Sequence, residues 1–390
     1  MRIGIACLVL AYVLSQFFRA CLAVLTPVLQ SDLGARAADL ASASGLWFLT
    51  FAAMQLPVGW ALDQVGPRRT TALLFGLFGA GGALLFALAQ GPGEVRLAMA
   101  LIGIGCSPVL MASYYIFARS FSPAVFGTLA GAVLGFGSLG NIASSLPLAW
   151  SVAAFGWRET LLALAALTAL LALAIASWLR DPARVIGPSR GSVLDLLKIP
   201  AMWVILPLMA VNYMPAAALR GLWVGPYFTD VFGADLAEIG RVTLAMGLAM
   251  VLGNFAYGPL DRLIGSRKWV VFGGNLAAVA CLLALWATPT AGAWQSVALL
   301  AGVGLFGASF PMIMAHGRAF FPPHLIGRGV TLMNLFAIAS TGLAQIFTGW
   351  LHAAVPPPPA AAPYQALFLF FALALLAGVL IYAFAEDRTD

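Results

Sequence analysis

Residues 59–69 read GWALDQVGPRR, and residues 258–268 read GPLDRLIGSRK. Each closes an apolar stretch with a glycine, an aspartate, a second glycine and a basic pair, in that order. Asp63 and Asp261 lie 198 positions apart, and Gly66 and Gly265 lie 199 apart. The same offset recurs outward from the two loops. Pro27 and Pro226, Gly34 and Gly233, and Arg119 (in ARSFSP, 118–123) and Arg318 (in GRAFFP, 317–322) are each 199 apart, and Trp150 and Trp350 are 200 apart. A constant offset across so many landmarks marks an internal duplication.

Composition says what is duplicated. Apolar residues make up 62% of the 390 positions and charged residues 9%, and the mean hydropathy is +0.97. Soluble domains run near 45–50% apolar and about 25% charged, so the chain is an integral membrane protein. About 20 apolar residues are needed to cross the hydrocarbon core. Breaking the chain at its charge and Gly/Pro clusters predicts twelve spans, at 3–30, 42–62, 70–90, 97–118, 126–150, 159–179, 200–228, 239–260, 269–288, 295–316, 329–352 and 364–384. The first is too long for the core of a signal peptide and reads as a span. Short loops leave no room for a soluble catalytic or nucleotide-binding domain, and no nucleophile–base set, metal cluster or cofactor motif is present, so no enzyme and no cofactor are expected. Cys7, Cys21, Cys106 and Cys281 all fall inside spans without metal-ligand spacing and read as small packing residues.

Fourteen of the twenty Lys/Arg fall on the side that holds both termini, four on the other, and two, Arg19 and Arg220, inside spans. The positive-inside rule makes the basic side cytoplasmic, with both termini. The net charge of +6 is thus a topology signal, not a nucleic-acid surface. The expected organisation is an N-terminal six-helix half (1–180), a cytoplasmic linker (181–199) and a C-terminal six-helix half (200–390). Two parallel six-helix halves form a transporter layout, with a site near mid-membrane opened alternately to each side.

GWALDQVGPRR resembles the loop between helices 2 and 3 of the major facilitator superfamily, G-x-x-x-D-x-x-G-x-R-R/K, and GPLDRLIGSRK its looser copy in the other half. With the twelve spans and the basic central loop, the resemblance covers the whole chain. It implies an all-α membrane fold of two pseudo-symmetric halves, a small solute as partner, and a monomer in the lipid bilayer. It also implies that Asp63, near the N-terminal end of helix 11, helps latch the cytoplasmic side, since a negative charge is favoured there, with Arg119 as a partner at the end of helix 4. Asp261 would act likewise in the second half. Gly59, Gly66, Arg68, Arg69, Arg267 and Lys268 complete the gate set, the glycines permitting close approach and a tight turn.

Residues 15–27, SQFFRACLAVLTP, place Arg19 inside the first span. An arginine at mid-membrane costs at least ~2.5 kcal/mol. Either it pairs with another helix or it meets a solute. All fourteen Asp/Glu lie at span ends or in loops, which favours an anion, for which the planar guanidinium fork is suited. Arg220, in the seventh span, stands at similar depth. FFRACLAVLTPVL resembles helix 1 of the superfamily's anion-handling branches (organophosphate/phosphate antiporters, anion:cation symporters and nitrate/nitrite-porter-like proteins), with an arginine eight residues before a proline. Arg220 precedes Pro226 by six, and two residues turn a helix by ~200°. Its match therefore requires a local break. Nitrate porters carry arginines in helices 2 and 8, which here have none in their interiors, and Met99 stands where many members have a helix-4 arginine.

Gln16, Tyr114, Tyr115, Asn212 and Asn334, on the first, fourth, seventh and eleventh spans, are the remaining candidate cavity residues, each with interhelical hydrogen bonding as its alternative. His316 could carry a proton or sit at a loop edge. The expected function is secondary-active movement of a small carboxylate- or phosphate-bearing anion across a bacterial inner membrane, by uptake or exchange, with a coupling proton or counter-anion. A multidrug or metabolite exporter is the alternative, and a membrane sensor on a transporter scaffold a third reading.

Overall fold

The computed structural model describes residues 2–121, 123–182, 193–322 and 325–388, without the side chains of 2, 123–128, 130, 193–194, 259, 261–262 and 326–327. Most of the basic linker, with Arg184 and Arg190, lies outside these residues, and so does the side chain of Asp261. All regular structure among the described residues is helical. Eleven helices are long and apolar enough to cross a membrane: Ile3–Ala20, Ala37–Gln64, Pro67–Leu88, Pro92–Ser120, Trp157–Trp178, Met202–Phe232, Leu236–Gly258, Arg267–Ala287, Ala293–Arg318, Arg328–Ala354 and Ala362–Tyr382. A twelfth, the fifth in chain order, is the pair Gly131–Ala143 and Leu146–Phe155, bent by 43°. The bend follows from the sequence there. Pro147 cannot donate to the ladder, and Ser144 and Ser145 both turn their hydroxyls back to the Asn141 carbonyl, at 3.0 and 3.1 Å.

The chain forms two compact units, Met1–Gly187 with Asp235–Arg241, and Pro188–Ala234 with Val242–Asp390. Within the first, span 1 packs on spans 5 and 6, and span 3 on spans 4 and 6. Within the second, span 7 packs on spans 11 and 12, and span 9 on spans 10 and 12. These are the same pairings six spans on, so the duplication read in the sequence is also one of packing.

The repeat extends to single residues. Gly34 ends Leu22–Leu33, the helix that continues the first span past Cys21, and Gly233 ends the seventh span, both in the left-handed region, at φ 62° and 66°. In both, the glycine N–H and the following N–H close back on the last turn: Gly34 on Gln30 and Ala35 on Leu29, then Gly233 on Thr229 and Ala234 on Phe228, at 3.0–3.2 Å. Both are αL caps, in which the N–H of the left-handed glycine returns to the carbonyl four residues back, and glycine supplies them without a Cβ penalty. Gly66 and Gly265 turn the two signature loops at φ 103° and 71°.

In the first unit, backbone contact is bought with glycine. A Cβ on Gly140 would lie 1.9 Å from the Val13 carbonyl oxygen, and one on Gly105 2.2 Å from the Gly79 nitrogen. Lipid supplies no hydrophobic drive between helices, so close packing of this kind holds spans together.

Candidate functional site

In the first unit, Arg19 falls in the last turn of Arg2–Ala20, just before the helix is interrupted at Cys21. It is half-buried, and its guanidinium carbon lies 5.8 Å from the centroid of the Trp47 ring on the second span. A cation over an indole face is stabilised by the ring quadrupole. Trp47 is only 1% exposed, stacks on Phe51 at 5.1 Å with 18° between planes, and its indole Nε1–H is buried with no hydrogen-bond partner among the described residues. A buried orphan donor forfeits ~1–3 kcal/mol unless something outside the chain accepts from it. Gln16, one turn before Arg19, donates to Tyr12 Oη at 2.5 Å, while its Oε1 is buried without a partner among the described residues. Gly137 and Gly140 of the fifth span pack against Tyr12 and Gln16. Tyr114 is half-buried on the fourth span.

Tyr115 stands elsewhere than the cavity role expected of it. Its ring lies under the Arg119 guanidinium at 4.2 Å, and Arg119 reaches Asp63 at 3.4 Å. Tyr115, Arg119 and Asp63 thus form one group at the signature-loop end of the unit. Arg68 is turned to the sixth span: its backbone N–H donates to Asp181 Oδ1 at 2.7 Å and its Nε–H to the Ala176 carbonyl at 2.6 Å. Arg69 is exposed. A Cβ on Gly66 would meet the Asp181 carboxylate at 2.9–3.1 Å, whereas one on Gly59 would meet no described atom within 4 Å. The tight turn expected of the glycines is seen at Gly66, and close approach is not seen at Gly59.

In the second unit, Arg220 is 4% exposed and lies in a π turn, Leu219–Trp223, within the seventh span. A π turn takes one more residue than an α turn, which rotates the flanking helix by ~100°. The extra residue carries the ~200° shortfall to ~300°, which leaves Arg220 within ~60° of the bearing of Arg19 on the matching helix. The guanidinium lies against the bare backbone of Gly247 on the eighth span, where a Cβ would come within 3.1 Å of Nε and 3.3 Å of Nη2. Asn212 belongs to a buried network: its Nδ2 donates to Asn275 Oδ1 at 2.7 Å and Ser309 Oγ at 2.9 Å, and Asn275 Nδ2 donates to the same Ser309 Oγ at 2.9 Å. This ties spans 7, 9 and 10 and realises the interhelical alternative. Asn334 is half-buried on the eleventh span.

The second signature loop mirrors the first. Asp387, past the twelfth span, accepts from Lys268 N–H at 3.0 Å and from the Ser266 hydroxyl, as Asp181, past the sixth, accepts from Arg68 N–H. Lys268 Nζ lies 5.2 Å over the Trp269 ring, and Arg267 is half-buried. His316 is fully buried; its Nε2–H donates to the Glu386 carbonyl at 2.8 Å, and Nδ1 meets Tyr382 Oη at 2.6 Å. Both nitrogens are occupied, so the ring is a buried tie between the tenth span and the C-terminal segment, not a loop-edge group.

Sequence reasoning missed Trp47 and Gly247. Trp47 carried a usable signal, because tryptophans favour the membrane interface and Trp47 sits well inside its span. Gly247 carried none, being one of 41 glycines.

Against known proteins, the model of the Major Facilitator Superfamily matches residues 8–224 and 205–390. The probable sulfoacetate transporter SauU of Cupriavidus necator is 25% identical over 298 residues, which is 71% of this chain and 66% of that protein, just under two thirds of its length. The fosmidomycin resistance protein of Escherichia coli K12 is 27% identical over 351 residues, 87% of this chain and 84% of that one. Among solved structures, the D-xylose-proton symporter superposes with a TM-score of 0.77 at 16% identity, covering 98% of this chain and 97% of that chain. A bacterial homologue of the human lysosomal transporter Spinster superposes with 0.76 at 17% identity, covering 98% and 96%.

Proposed function

The chain belongs to the major facilitator superfamily and is a transporter, not an enzyme; on that premise we propose that it moves a small carboxylate-, sulfonate- or phosphate-bearing anion across a bacterial inner membrane. Both termini face the cytoplasm in this reading, and the cycle is uptake or exchange by alternating access.

The observation that carries the reading is Arg19 over Trp47. A permanent cation inside a span is costly and is retained where it serves a solute path. Beside it stands a buried indole N–H with no acceptor among the described residues, so two donor groups converge where an anion's oxygens would dock. Arg220, held against Gly247 in the π turn of the matching span, is a second permanent charge inside a span, within the second unit. The sulfonate and carboxylate of sulfoacetate, carried by the relative that bears its name, are anions of the fitting class. The group of Asp63, Arg119 and Tyr115 serves as a gate element, and the Asp181 and Asp387 clasps hold each signature loop to its own half.

A thermal-shift screen of wild type and Arg19→Ala against sulfoacetate, small carboxylates, phosphorylated metabolites and inorganic anions tests this. A ligand at 100 times its Kd stabilises by ~2.7 kcal/mol. Loss of one charge-assisted contact worth ~1.5–3 kcal/mol weakens binding ~10- to 150-fold and removes about half to nine-tenths of that protection. Equal protection of both proteins by neutral or cationic compounds would instead favour the exporter reading, which the fosmidomycin resistance protein motivates.

A further inference from the structure

Each unit closes the outer end of its first span with the same device. In the first unit, Asp32 accepts from the Trp157 indole N–H at 2.8 Å. In the second, Asp230 accepts from the Tyr364 hydroxyl. A carboxylate at the end of span 1 or 7 thus meets an aromatic donor at the start of span 6 or 12. The chemistry of the two differs. An indole N–H does not exchange charge with its partner, whereas a phenol can pass a proton.

The second unit adds a group the first lacks. His352, near the end of the eleventh span, lies 5.1 Å from the Trp223 ring of the seventh, tilted by 30°, and 5.1 Å from the Tyr364 ring of the twelfth in an edge contact. Its Nε2 is buried with no hydrogen-bond partner among the described residues. At the matching place in the fifth span stand Val152 and Ala153. Around the ring, the titratable groups are Asp230 and Tyr227 on the seventh span and Tyr364 on the twelfth. Tyr227 is committed elsewhere, its hydroxyl donating to the Pro289 carbonyl at 2.5 Å and lying 3.0 Å from Ser296 Oγ. Asp230 is within electrostatic reach of the imidazole, and it is exposed, so it meets the outer medium directly. Trp223 is pinned in turn by its Nε1–H to Thr348 Oγ1 at 3.1 Å, which fixes the ring contact.

We infer that His352, with Asp230 as its acidic counterpart and Tyr364 between them, is an external proton-binding site of the transport cycle. One proton from the outer medium adds to the bare Nε2, giving an imidazolium whose charge is balanced by the Asp230 carboxylate. Imidazole is the side chain whose ordinary titration range spans pH 5 to 8. The Trp223 ring beside it further favours the cation. Because the ring joins spans 7, 11 and 12, its charge state bears on how those spans pack, and outward acidity would then favour the loaded transporter. This goes beyond the anion reading and rests on the chain being a transporter with both termini in the cytoplasm.

The test uses the full chain in lipid nanodiscs with 13C,15N-labelled histidine, since only His316, His324 and His352 contribute signals. The His352 ring, assigned by its loss in His352→Gln, is expected to take up a proton as the outer medium is acidified. In Asp230→Asn its midpoint should fall by about one pH unit, a tenfold loss of proton affinity. In proteoliposomes, with sulfoacetate as probe, external acidification should accelerate uptake in wild type and fail to do so in His352→Phe. The phenyl ring keeps the ring contacts with Trp223 and Tyr364, so a purely structural role would leave His352→Phe like wild type. A ring that stays neutral down to about pH 5 overturns the inference, as does an unchanged acid response in His352→Phe. Titration with its Asp230 dependence intact, but no sulfoacetate flux in any protein, would leave the proton site standing and count against the anion reading alone.

Discussion

Gly103→Ala probes how the fourth span holds Trp47 under Arg19. A Cβ at residue 103 would lie 2.4 Å from both Thr50 Oγ1 and the Trp47 carbonyl oxygen. A carbon–oxygen contact relaxes to about 3.3 Å or more, so the second and fourth spans must part locally by roughly 0.9 Å. Thr50 cannot simply rotate away, because its hydroxyl bonds the Ala100 carbonyl at 2.9 Å and the Leu46 carbonyl at 2.8 Å. Overpacking of this kind costs about 1–3 kcal/mol. Replacing glycine by alanine inside a helix returns up to about 1 kcal/mol, and the control Gly131→Ala isolates that gain, since its Cβ would meet no described atom within 4 Å. The two variants should therefore differ by the overpacking alone. At about 2–4 °C per kcal/mol for a unit of 150–250 residues, that is roughly 2–12 °C in apparent unfolding temperature, read in matched scans in one detergent. The same shift lifts Trp47 from beneath Arg19, so protection by sulfoacetate should weaken in Gly103→Ala and persist in Gly131→Ala. Identical unfolding temperatures for the two proteins would refute the packing argument.

Asp63→Asn should move the equilibrium toward inward-facing by no more than about fivefold, because a pair at 3.4 Å with exposures of 58% and 24% is worth ~0.2–1 kcal/mol; unchanged labelling of cysteines introduced at the cytoplasmic end of the cavity would remove Asp63 from the gate. Asp387 titrates below the usual carboxylate range: burial pushes it up, but the Ser266 hydroxyl, the Lys268 N–H and the neighbouring His316 and Lys268 charges outweigh that. A depressed folded value stabilises above the unfolded one, about 3.9, and is lost as pH falls through the folded one. The gap in unfolding temperature between wild type and Asp387→Asn should thus be constant above about pH 5 and shrink below about pH 4; a pH-independent gap would mean the charge is irrelevant. His316→Phe leaves Tyr382 Oη and the Glu386 carbonyl unpaired at ~1–3 kcal/mol each, so it should lower the unfolding temperature yet leave the acid response of uptake unchanged.

Much of the fold was legible because bilayer and repeat both write themselves into one dimension. Apolar length located the spans, and the glycines that repeat at an offset of 199 stand in the structure as two left-handed caps and two left-handed turns. Arg19 stood out because a charge in an apolar run has few explanations. The polar candidates resolved unevenly. Asn212 went into a network with Asn275 and Ser309, Tyr115 under Arg119, and His316 between Tyr382 and Glu386, since an isolated polar residue in a span does not reveal which neighbour it faces.

The amino-acid sequence by itself determined that the chain spans a membrane twelve times, in two matched halves, with a permanent cation built into the first span of each. These follow from hydropathy, helical rise and the fixed charge of arginine, none of which depends on what packs against what. Only the tertiary structure decided that the seventh span carries a π turn at Arg220, that Gly247 makes room for its guanidinium, and that Trp47 leaves an indole donor beside Arg19. It likewise brought His352, Tyr364 and Asp230, from three different spans, together at the end of the second unit away from its signature loop. Such groupings are set by interhelical contact, where a missing Cβ or a single hydrogen bond chooses between neighbours 100 or more positions away, and no local pattern along the chain encodes that choice.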